Sequence, residues 1–129
     1  NVVAIGDLMF FGYCPFIDTT VASGASLPGT VSALRKLADT FPDATFVPGH
    51  GPLAHSADLR QYAEYLDDLD TQVRRAKAAG KSEDEAVTSV DLSRWHRKTL
   101  PSFPDDRFIP EWATAARNIR SAYQLAKAS

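Results

Sequence analysis

The sequence predicts a mixed α/β fold, a β-strand, helix, β-strand unit followed by a helix-rich C-terminal part, and three observations point to it. A β-branched run, Val2-Val3-Ala4-Ile5, and a second short apolar run, Ala44-Thr45-Phe46-Val47, each give way to a glycine-containing turn. Between them Val31, Leu34, Leu37 and Ala38 recur at three- and four-residue steps. Beyond them, two more apolar stripes keep helical spacing to the end of the chain.

Taken in order, the first strand covers residues 2–5 and ends at Gly6-Asp7. Residues 10–27 hold glycines, a proline, aromatics and small polar side chains without a period, which predicts a long irregular segment of the kind that more often carries function than not. Pro28 suits the first turn of a helix, and Phe41-Pro42-Asp43 ends it. The second strand then delivers Pro48-Gly49-His50-Gly51-Pro52, and the crossover grammar sets this turn beside Gly6-Asp7 at one sheet edge.

The remainder reads as helical. Leu59, Tyr62, Leu66, Leu69, Val73 and Ala76 form a stripe of about five turns, with Ser56 as N-cap and Gly80 as stop. Ser82 and Glu85 have capping-box spacing ahead of a short helix. Residues 95–108 form a mixed loop containing Trp95, Phe103 and Phe108, after which Trp112, Ala116, Ile119, Tyr123 and Ala126 mark a final helix with one apolar face. No repeat, low-complexity tract or linker interrupts the chain, so residues 1–129 read as a single domain.

Composition narrows the function. The 129 residues, 44% hydrophobic and 23% charged, are globular rather than disordered. A formal net charge of −2 supplies no basic field for nucleic acid. No apolar run approaches the roughly 20 residues that span a bilayer, so the expectation is a soluble protein with no membrane partner. The chain opens on Asn1 and runs straight into a strand, as a cut or processed polypeptide would, so a targeting segment upstream stays open. One cysteine, Cys14, permits no internal disulfide and leans the expected compartment toward the cytoplasm.

Asp7 and His50 are the candidate metal ligands, a carboxylate and an imidazole each presented where a strand meets a loop. Two ligands are too few, because catalytic zinc takes three from protein and a dinuclear site more, so the pair reads as one half of a metal site. Taken singly, each has a plainer reading: Asp7 as a turn cap, His50 as a loop histidine. Phe10, Phe11, Tyr13 and Phe16 either line a pocket beside the pair or belong to the core. Cys14 reads as a packed thiol, His55 and His96 as surface residues, and Glu64, Asp67, Asp68 and Asp70 as a solvated helix face.

Together, residues 1–10, Tyr13-Cys14-Pro15-Phe16-Ile17-Asp18 and Val47-Pro48-Gly49-His50-Gly51-Pro52-Leu53 resemble the C-terminal half of metallo-β-lactamase-fold hydrolases, closest to glyoxalase-II-like and related zinc hydrolases. Gly-Asp alone is common, whereas Pro-Gly-His-Gly-Pro at this distance after a Gly-Asp-Leu strand end is more specific. The resemblance implies half of a four-layer αββα sandwich with two metals, zinc or alternatively iron or manganese, held at the sheet edges. It implies that Asp7 bridges the metals and is the catalytic carboxylate, and that His50 ligates the second metal. The His-x-His-x-Asp-His motif and a further histidine of that family would lie N-terminal to Asn1.

The implied reaction is hydrolysis of a small-molecule ester, thioester, lactone or lactam by metal-bound hydroxide. The implied partner is a second copy of the chain or the missing N-terminal half, because a half-sandwich leaves a sheet face open. The alternative expectation is a catalytically inactive, metal-free α/β fragment or self-associating module.

Overall fold

The computed structural model describes residues 1–11, 15–20, 24–95 and 114–126. The described residues form a mixed α/β structure in the order β1 (Val2–Phe10), α1 (Leu27–Thr40), β2 (Thr45–His50), α2 (Ser56–Ala78), α3 (Glu83–Ser89), a 3₁₀ turn (Ser93–Trp95) and α4 (Ala115–Leu125). β1 and β2 pair in parallel across the α1 crossover, as the strand, helix, strand pattern requires. Helix α1 packs on α2, and α2 in turn on α3 and α4.

Each helix is closed by the residues its sequence supplies. The Ser26 hydroxyl caps α1 by accepting from the Gly29 amide, with Pro28 in the first turn. Helix α2 ends as Gly80 suggests: the Gly80 amide donates to the Lys77 carbonyl and the Lys81 amide to that of Ala76. At α3 the capping box is complete, the Ser82 amide donating to Glu85 and the Glu85 amide to the Ser82 hydroxyl.

The N-cap of α2 differs from expectation. His55 takes that position, its amide donating to the Asp58 carboxylate at 2.8 Å, and Ser56 is the first helical residue. The Ser56 hydroxyl donates instead to the Pro42 carbonyl, tying the helix start to the turn after α1. A hydroxyl near a helix start satisfies whichever acceptor the tertiary fold brings close.

The core follows the predicted stripes. Leu59, Tyr62, Leu66, Leu69, Val73 and Ala76 of α2 are buried together with Val31, Leu34 and Ala38 of α1 and Phe46 of β2. Ile119 of α4 and Ala126 at its C-cap are buried as expected and Tyr123 partly so, but Ala116 is exposed and the inward face is completed by Asn118, Ser121 and Ala122. Asn118 donates its amide to the Tyr65 hydroxyl at 2.9 Å, while its buried Oδ1 has no hydrogen-bond partner among the described residues.

The acidic run on α2 is not one solvated face. Asp67 pairs with Arg35 at the surface. Asp68 accepts from the Trp95 indole, and Asp70 is 8% exposed and accepts from Arg74. Trp112, Tyr13, Cys14, His96, Phe103 and Phe108 lie outside the described residues.

Both strands run further than their apolar cores. β1 continues through Gly6-Asp7 to Phe10, and β2 continues through Pro48-Gly49 to His50. The continuation is irregular: Ala4 is level with Val47 and Gly6 with Pro48, so Ile5 is an extra residue, and two more intervene before Phe10 meets His50. Gly6 has a φ of +51°, the left-handed conformation that a bulge of this kind uses.

The bulge decides where Asp7 points. Val3 and Ile5 pack toward the core while Val2 and Ala4 are exposed, and strict alternation would put Asp7 on the side of Val3 and Ile5. Shifted by the bulge, Asp7 is exposed instead. Val2, Val47 and Leu53 leave apolar surface uncovered near this sheet.

Candidate metal centre

Asp7 and His50 stand on adjacent parallel strands, toward the C-terminal ends of both, where open α/β sheets place their ligand sites. His50 Nε2 lies 3.6 Å from Asp7 Oδ1, and the side chains are 48% and 73% exposed. That separation is too long for a direct hydrogen bond. It is close to the spacing that a shared ion sets, since two donors each at about 2.1 Å from a tetrahedral zinc lie about 3.4 Å apart.

Three further features hold the pair. The Phe10 ring stacks on the His50 imidazole with centroids 4.6 Å apart and planes 10° from parallel, which restricts rotation of the imidazole. Phe10 is itself buried, and its amide donates to the Tyr62 hydroxyl of α2 at 3.4 Å, so the long helix anchors the end of β1. The Phe11 amide donates to the His50 carbonyl at 2.9 Å and closes the strand ends together.

Gly49 adds a constraint of another kind. A Cβ at that position would collide with Asp7 Oδ1 and crowd the Asp7 amide and the Gly6 carbonyl carbon. The glycine is therefore demanded by the neighbouring strand: its bare backbone is the floor against which the Asp7 carboxylate rests. On the other side of His50, Gly51 has a φ of +96° and supplies the turn that leaves the strand.

The donor set is a partial one. Among the described residues no group of three or more His, Cys, Asp and Glu side chains is arranged to hold a metal ion. His55 caps α2 and is remote in role from the pair. Asp7 and His50 thus suit one side of a metal site by type, spacing and exposure, and do not complete it.

Beside Asp7 lies a cavity of about 180 Å³ lined by Asp7, Leu8, Phe16, Ile17, Leu27 and Tyr62 among others, with His50 outside its lining. Phe16 is 53% exposed and borders this cavity, whereas Phe10 is core, so the aromatic cluster divides between the two roles considered for it. Sequence reasoning placed neither Tyr62 at the cavity beside Asp7 nor Gly49 against the Asp7 carboxylate. Tyr62 was legible only as one apolar step of a helical stripe.

No protein-family model matches the chain, and no curated protein matches it. Among the described residues no helix is long and apolar enough to cross a membrane.

Proposed function

We propose that this chain supplies two metal ligands, Asp7 and His50, to a metal-dependent hydrolase of the metallo-β-lactamase type, and that its α/β unit is one half of an αββα sandwich. The observation that carries the reading is the 3.6 Å approach of a carboxylate and an imidazole from neighbouring strand ends. The Gly-Asp and Pro-Gly-His-Gly-Pro motifs that suggest the family are the same residues that form this contact.

A zinc ion, or iron or manganese in the same ligand type, supplies an acidified water near neutral pH and polarises the scissile carbonyl. Asp7 would help hold the ion through its carboxylate oxygens. His50 would donate a neutral imidazole nitrogen, its plane fixed by Phe10. The remaining ligands come from residues beyond these two donors, on an N-terminal half or a partner. The substrate class is a small ester, thioester, lactone or lactam.

Zinc titration by calorimetry tests the ligand pair. The expected result is binding far weaker than that of a complete four-ligand site, whose apparent free energy is about 10–16 kcal/mol, and its loss in both Asp7→Ala and His50→Ala. Zinc binding unchanged in either variant would overturn the assignment. A second reading, a metal-free self-associating module, draws on the exposed Val2, Val47 and Leu53; it predicts a dimer by sedimentation that Val47→Asp disperses and no zinc binding at all.

A further inference from the structure

A second chamber adjoins the cavity beside Asp7. It encloses about 380 Å³ and shares Ala25, Ser26, Leu27 and Leu125 with the first as a common wall. One face of α2 runs along both: Tyr62 and Leu66 line the first chamber, Asp70 and Arg74 the second. Spaced by four residues, these side chains share a helix face, and Tyr62 to Arg74 covers about 18 Å of helix axis.

The far chamber differs in chemistry from the near one. Its charged lining residues are Asp70 and Arg74, accompanied by the hydroxyls of Thr19, Thr20 and Ser26. Asp70, with a side chain 11% exposed, accepts from Arg74 Nε at 2.7 Å. A carboxylate so far buried on a helix fixes the guanidinium in place, and engagement at Nε leaves the two Nη groups as the forked donors available to a ligand.

We propose that the two chambers form one elongated substrate groove in which Arg74, held by Asp70, receives a carboxylate of the substrate while Leu27, Leu66 and Leu125 grip an apolar linker leading to Asp7. The inference rests on the proposed hydrolase reading for what happens at Asp7 and His50, and adds the substrate class: an ester, thioester, lactone or lactam whose apolar body ends in a carboxylate away from the reacting bond. A planar carboxylate matches the guanidinium fork, and an uncharged end group would leave those donors unsatisfied.

The test needs neither metal nor turnover. The full chain, held metal-free with chelator so that Asp7 and His50 bind no carboxylate through an ion, is titrated with octanoate and with its uncharged analogue octanamide, followed by NMR. Octanoate is expected to shift the Arg74 Nε–H signal and the methyl signals of Leu66 and Leu125, and Arg74→Gln to weaken its binding about tenfold or more while leaving octanamide unaffected. Arg74→Lys, which keeps the charge without the fork, is expected to fall between, and it preserves the test if the glutamine variant fails to fold. Absence of octanoate binding, equal affinity for acid and amide, or indifference to both substitutions would overturn the groove. A failure here leaves the zinc titration standing, and loss of the ligand assignment there leaves the octanoate result intact.

Discussion

The helical side of this molecule and its strand ends are built on opposite rules. Between α1 and α2 the side chains are apolar, buried and regularly spaced, and the helix ends are closed by local hydrogen bonds. At the ends of β1 and β2 the decisive side chains are polar and exposed, the backbone is bulged, and a glycine is required by a neighbour across the sheet. The first region shows where stability resides, and the second what stability is used to hold.

Core truncation sets the two apart most sharply. Leu69 of α2 is fully buried, so Leu69→Ala is expected to cost about 2–5 kcal/mol in urea unfolding. His50→Ala, at a half-exposed position, is expected to stay within about 0.5 kcal/mol of the parent. Comparable losses from both would mean that the strand ends are part of the core.

Gly49→Ala sharpens the contrast at the site itself. The added methyl must displace the Asp7 carboxylate or separate the strands, so a loss of about 1–3 kcal/mol is expected, the usual range for overpacking. Its distinguishing mark is local: backbone amide shifts should concentrate at residues 6, 7 and 49, with α2 and α4 unmoved. Shifts spread evenly over the molecule would contradict the contact described.

The smallest effect belongs to α3. Ser82→Ala removes the cap and is expected to cost about 1 kcal/mol. Hydrogen bonds from the Ser82 amide, and then from its hydroxyl, hold the Glu85 carboxyl below its ordinary value. Because the folded pKa is the lower one, this contribution is fully present above about pH 4.3, the unfolded value for glutamate, and is lost as pH falls through the lowered value. Urea titrations of Glu85→Gln should therefore show a shallower loss of stability on acidification than the parent; parallel curves would remove the capping box from the acid response.

How far each region could be read in advance follows from the same contrast. The stripe from Leu59 to Ala76, the Gly80 stop and the Ser82 and Glu85 box were legible because they are set by neighbours three and four residues away. Asp7 and His50 were legible as residue types and as a shared sheet edge. The bulge at Gly6 was not, because nothing local separates a glycine that ends a strand from one that bends it and lets it continue. Asp70 was misread for a related reason: the chamber it lines is walled by Thr19, Thr20, Gly24 and Leu125, all remote in sequence.

The placement of the two donors on different strands has an energetic corollary. Whatever engages both side chains at once also fastens β1 to β2 beyond the bulge, where the regular ladder has lapsed. By mutual linkage, an ion or molecule that bound both side chains would strengthen the cohesion of the strand tips, and that cohesion would strengthen its binding.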